Sequence, residues 1–182
     1  MSLDSPVLDA PGDAAGGVLV IGYGNTLRSD DGVGWHAAAL LAADPRLAAD
    51  PRLADVTVLA VHQLTPELAL DMSREALVIM IDASIDDPPG AIVVRSLAVE
   101  SQAGGGGPGA SSHHVGPDEL LAVALELYGA APEAFTVSVG VAGMEVGDSL
   151  SSDVVAALPA VADAVVGLIE AHRPSRAARQ RS

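Results

Sequence analysis

The stretch "VLVIGYGNTLRSDDGVGWHAAALLA", from Val18 to Ala42, constrains this chain more than any other. A short β-branched run stops at a glycine-rich turn, and an Ala/Leu-rich helical pattern begins directly after it. Strand, tight turn and helix in that order are the opening of an α/β unit. The same alternation continues downstream. Asp55 to Val61, Ala76 to Ile81, Ala91 to Leu97 and Phe135 to Val141 read as strands. Pro66 to Arg74, Pro117 to Tyr128 and about Ser152 to Ala171 read as helices, with Thr65 placed to cap the first of these.

The pattern predicts a three-layer α/β sandwich: a mostly parallel, twisted five-stranded sheet with one antiparallel pair and helices on both faces. The short "DDPPG" turn suggests that the antiparallel pair is a hairpin of the third and fourth strands. Right-handed crossovers place the first strand between the second and third. A ligand site is then expected beyond the carboxyl ends of the strands. Residues 1–16 read as a flexible arm, 17–171 as one domain, and 172–182 as a basic, disordered tail. The pentapeptide DPRLA occurs twice, six residues apart, within "ADPRLAADPRLAD". So short a repeat lengthens a connection rather than building a solenoid.

The glycine turn invites a phosphate-binding reading, which the residues reject. Gly22 and Gly24 match the start of a dinucleotide fingerprint, but Leu27 stands where its third glycine belongs. The chain has no lysine for a phosphate loop. Asp30 and Asp31 occupy the turn, where they repel phosphate and suit a cation. Either could also serve simply as an acid in a helix's first turn.

Two further groups bear on chemistry. Asp82 closes the apolar run "ALVIMID" at a strand's carboxyl end, where it is either a turn cap or a site residue. His113 and His114, in "SSHHVGPDELL", follow the glycine tract and precede a helix. Two carboxylates and one imidazole form a workable set for a divalent first-row metal, with positions left for water or substrate. His36 reads as a partly buried helix residue, and His62 as a residue lining substrate at the same edge. No serine elbow or His-Glu-x-x-His motif is present.

The chain carries 24 acidic residues against nine arginines, a net charge of −15, and no cysteine. That field repels nucleic acid and anionic membranes. Thiolate chemistry and disulfides are excluded. No uninterrupted apolar run reaches the roughly 18 residues of a membrane span, and the N-terminus lacks a signal-peptide pattern. A cytoplasmic protein, with a monomer favoured, is expected.

Taken together, "GYGNTLRSDDGVG", "HQLTPELA", "LVIMIDAS" and "SSHHVGPDELL" resemble the hydrogenase maturation endopeptidase family over roughly residues 17–170. That resemblance implies removal of the C-terminal extension of the nickel–iron hydrogenase large-subunit precursor after nickel insertion. It assigns Asp31, Asp82 and His113 to nickel, or to another divalent ion in its place, with the metal recognised on the substrate. Asp30 or Asp82 then becomes the candidate general base, and Asp31 joins them as a catalytic residue. The chain departs from the family in carrying Asp31 where several members have Glu, His114 beside His113, and "VAGMEVGDSLS" after the fifth strand. Two other functions remain open on the residues alone: a non-catalytic nickel-binding maturation chaperone, and a nucleotide-binding oxidoreductase built on Gly22 and Gly24.

Overall fold

The computed structural model describes residues 16–98 and 115–172. Five strands, β1 (Val18–Tyr23), β2 (Val56–Val61), β3 (Leu77–Ser84), β4 (Ile92–Leu97) and β5 (Glu133–Gly140), form one sheet in the order β2-β1-β3-β5-β4. β1 pairs in parallel with β2 and β3, and β3 with β5, while β4 runs antiparallel to β5.

The helices are α1 (Val33–Ala42), α2 (Pro45–Ala49), α3 (Leu68–Met72), α4 (Pro117–Tyr128) and α5 (Ser152–His172). Alternation along the strands decides which helix meets which face. Val18 and Val20 of β1 point with Ile79 and Val137 into a core closed by α1 and α5. Leu19 and Ile21 point the other way, with Val78 and Met80, against α3 and α4. β1 and most of β3 are buried on both faces, as parallel interior strands should be. The expected three-layer sandwich is the observed fold.

The strand pairing differs from expectation in one respect. β4 does not form a hairpin with β3, because β5 lies between them. The physical reason is polarity. β5 is almost wholly buried and takes the interior place. β4 carries exposed Arg95 and Ser96 and takes the edge, where a charge blocks further pairing.

Smaller differences also have local causes. β3 runs on to Ser84, so Asp82 lies inside its last turn of pleat rather than after it. α3 is shorter than expected, and its start has no side-chain cap. The Thr65 hydroxyl serves the Glu67 carboxylate instead. The two DPRLA copies adopt different backbones: the first forms α2, with Asp44 accepting from the Arg46 N–H at 2.8 Å, and the second a 3₁₀ turn at Pro51–Leu53. α5 extends to His172, whose Nδ1 lies 2.8 Å from a Glu133 carboxylate oxygen.

By length and composition α5 could cross a membrane, with mean hydropathy 1.9 over its most apolar window. Counting uninterrupted apolar runs misses this, because its acidic residues are spaced along the helix. Here Val154, Val161, Val165 and Ile169 face the sheet as core.

Candidate functional site

The chain leaves β1 toward β2 on one side and returns to β3 on the other. The carboxyl ends of β1 and β3 therefore flank a topological switch point, where open α/β sheets bind ligands. A cleft of about 580 Å³ opens there. Asp31 and Asp82, far apart in sequence, both line it, and so do Tyr23 and His62.

Local sequence explains how the turn reaches the cleft. Gly24 has φ +141°, and a side chain there would run into the Asp31 carbonyl. Gly34, in the first turn of α1, lies against the backbone of Tyr23 and Ile81, leaving no room for a Cβ. These glycines thus answer the phosphate question: they let the helix start sit directly on the strands. The turn is then pinned across the molecule. The Ser29 N–H donates to the Gly147 carbonyl at 2.9 Å, and the Gly147 N–H to the Leu27 carbonyl at 3.0 Å. Ser29 itself is in the left-handed region, φ 46°, a costly conformation for a non-glycine residue.

That twist separates the two adjacent aspartates. Asp31 faces the cleft, and one of its oxygens accepts the Asn25 N–H at 3.1 Å. Asp30 is only 3% exposed and accepts the Ser151 N–H at 2.6 Å, immediately before α5. It lines a different hollow and does not line the cleft. Of the two proposed carboxylate bases, only Asp82 stands at the switch point.

Asp82 is held at both oxygens. The Tyr23 hydroxyl donates to Oδ2 at 2.6 Å and the Ala83 N–H to Oδ1 at 2.7 Å. Burial pushes its pKa up to about 6, with the Asp31 charge adding to the rise and the two hydrogen bonds opposing it. Burial first, and then the Asp82 charge, pushes the Tyr23 hydroxyl far above the usual phenol range, so it remains a donor at any working pH. Tyr23 is a site residue the sequence reading missed. Its signal was available: a tyrosine ends an otherwise aliphatic strand directly before the glycine turn.

Arg28 also lines the cleft and was missed. It is the one arginine among the described residues there, and its Nε donates to the Met144 carbonyl at 3.3 Å. His62 is exposed and lies where expected. His36 does not line the cleft; its ring packs edge-on against Trp35, centroids 5.3 Å apart. His113 and His114 lie outside the described residues. Asp31 and Asp82 offer a cation two hard oxygen donors. Among the described residues, no group of three or more His, Asp or Glu side chains is close enough to hold a metal ion.

The fold has solved counterparts. One is the [NiFe] hydrogenase maturation protease HycI from Thermococcus kodakarensis, with TM-score 0.63 and 16% identity, matched over 84% of this chain and 92% of that one. The hydrogenase 2 maturation peptidase from Thaumarchaeota archaeon SCGC_AB-539-E09 gives TM-score 0.60 and 26% identity over 84% and 97%. The hydrogenase maturating endopeptidase HybD from E. coli gives 0.59 and 20% over 84% and 91%. No protein-family model and no curated protein matches the chain. The fold is that of the hydrogenase maturation proteases, in agreement with the resemblance carried by the sequence motifs.

Proposed function

We propose that this chain is a hydrogenase maturation endopeptidase, which removes the C-terminal extension of a nickel–iron hydrogenase large-subunit precursor once nickel is in place. One observation carries the proposal: Asp31 and Asp82 meet in a cleft at the switch point of a fold shared with HycI and HybD. Nothing comparable favours an oxidoreductase, since the glycines of the opening turn are taken up by helix packing.

Nickel enters as part of the substrate, and a cation there would supply positive charge beside the bond to be cut. In this reading Asp31, Asp82 and His113 receive it, and another divalent ion can take its place. The chain's own residues do the rest. Asp82, which burial pushes up to about 6 before any cation is bound, is ionised at neutral pH and is the candidate base for the attacking water. Water oxygen bonds to the scissile carbonyl carbon, the C–N bond breaks, and the new amine leaves with a proton. The Tyr23 hydroxyl keeps Asp82 in one orientation throughout. The chain acts on the precursor in the cytoplasm, as a soluble monomer with no part for nucleic acid or membrane.

Incubating the purified protein with nickel-loaded and nickel-free precursor, and weighing the products by mass spectrometry, tests this directly. Release of the C-terminal peptide from the nickel-loaded form alone is expected. Metal uptake with every peptide bond intact would instead make the chain a maturation chaperone. Saturable NAD or NADP binding at micromolar levels would count for the oxidoreductase.

A further inference from the structure

A second hollow lies on the other side of the strip that carries Arg28 to Asp31. Its volume is about 330 Å³, and Ser29, Asp30, Glu145, Ser149 and Ser151 line it. The cleft described above takes Arg28 and Asp31 from the same strip, and Met144 from the same loop as Glu145. The two hollows therefore share a wall, and consecutive aspartates serve its opposite sides.

Asp30 is too costly for the structural task it performs. One oxygen caps the chain ahead of α5 through the Ser151 N–H at 2.6 Å. A serine or asparagine would cap equally well without burying a charge. The helix N-terminus offsets part of that charge, but among the described residues Oδ2 has no donor. Glu145 adds a second carboxylate, its oxygens set against Gly143. Among the described residues no arginine lines the hollow, and Arg28 lines the neighbouring cleft instead.

The geometry points to this hollow as a subsite for a cationic side chain, guanidinium or ammonium, of the polypeptide that crosses the neighbouring cleft. The source of that cation rests on the endopeptidase reading; the chemistry of the hollow does not. A bare divalent ion needs oxygens at about 2.0–2.6 Å on all sides, and this volume is too open for one. A guanidinium or ammonium group instead suits a hollow lined by two carboxylates and by serine side chains. The net charge of −15 draws such a group in.

Titration of the full chain with L-argininamide, followed by amide NMR, tests the subsite without any cleavage. Citrullinamide serves as the control. Both amides carry an acetylated α-nitrogen, so that the citrulline control, with its ureido side chain, is uncharged. Argininamide should move the Ser29, Ser149 and Ser151 resonances saturably and citrullinamide should not. Asp30→Asn, which keeps an oxygen for the Ser151 N–H, should weaken argininamide about tenfold. No movement, or equal binding by both amides or by Asp30→Asn, overturns the proposal. In the precursor assay, Asp30→Asn should raise KM about tenfold with kcat nearly unchanged. A fall in kcat alone would make Asp30 part of the reaction machinery and overturn the subsite. Argininamide binding by a chain that cuts no precursor would support the subsite while refuting the endopeptidase reading.

Discussion

Asp82 sets function against stability, and Asp82→Asn measures the conflict. In the unfolded chain an aspartate ionises near 3.8, whereas burial holds Asp82 near 6. Below pH 3.8 both states are protonated and the group is neutral in its effect. Between those values the folded state binds more protons than the unfolded one, so stability falls as pH rises. Above about 6 the deficit is complete. Each pKa unit is worth about 1.4 kcal/mol, so the ionised carboxylate costs the fold about 3 kcal/mol. Asparagine does not titrate, and it can still accept from the Ala83 N–H while its amide donates to the Tyr23 oxygen. The stability of Asp82→Asn relative to the parent should therefore rise by about 3 kcal/mol from pH 3.5 to pH 8. In a chain of this size that is a gain of roughly 6–12 °C in Tm. Urea unfolding of both proteins across that pH range reads it, and titrating groups that do not interact with Asp82 cancel in the difference. Parallel curves, or a variant that loses ground as pH rises, would refute the assignment of Asp82 as a buried carboxylate near 6. Cleavage by the variant should be abolished at every pH.

Tyr23→Phe should move the acid limb of the cleavage pH profile upward, because the lost hydrogen bond had been lowering the Asp82 pKa; an unmoved limb contradicts the pairing. Asp31→Ala should reduce cleavage at least about a hundredfold while circular dichroism stays native, and retained activity would remove Asp31 from the site. His113→Ala and His114→Ala, compared in the same assay, identify the imidazole that completes the nickel site: His113→Ala should abolish cleavage, and full activity there with loss in His114→Ala would transfer the role. Gly34→Ala should cost about 3 kcal/mol in urea unfolding, since its Cβ would meet the backbone of two strands. A loss under about 0.5 kcal/mol would show that the helix can lift away freely.

The architecture was legible because hydrophobic runs of strand length alternate with helical ones, and because crossover handedness leaves few ways to order them. That logic placed β1 between β2 and β3 and brought Asp82 to the rim beside the opening turn. It failed at β4, where loop length alone suggested a hairpin. Arg95 and Ser96 in β4, set against the apolar β5, held the correct answer. The site was half legible. Charge and position singled out Asp31 and Asp82, but no spacing rule reveals that Asp30 turns its back on its neighbour. That depends on one positive φ at Ser29 and on pairing with Gly147, a contact between distant segments. Tyr23 escaped because an aromatic at a strand end is usually packing, and only the folded chain shows its hydroxyl against Asp82.

The edge-on pairing of Trp35 with His36 gives the molecule a built-in gauge. Trp35 is the only indole in the chain, half-buried in the helix that begins just after Asp31. Its fluorescence emission therefore comes from one known location, a turn of backbone away from the carboxylate. Any ligand that tightens or shifts that turn changes the light from a single reporter, with no dye attached and no second chromophore of its kind to subtract.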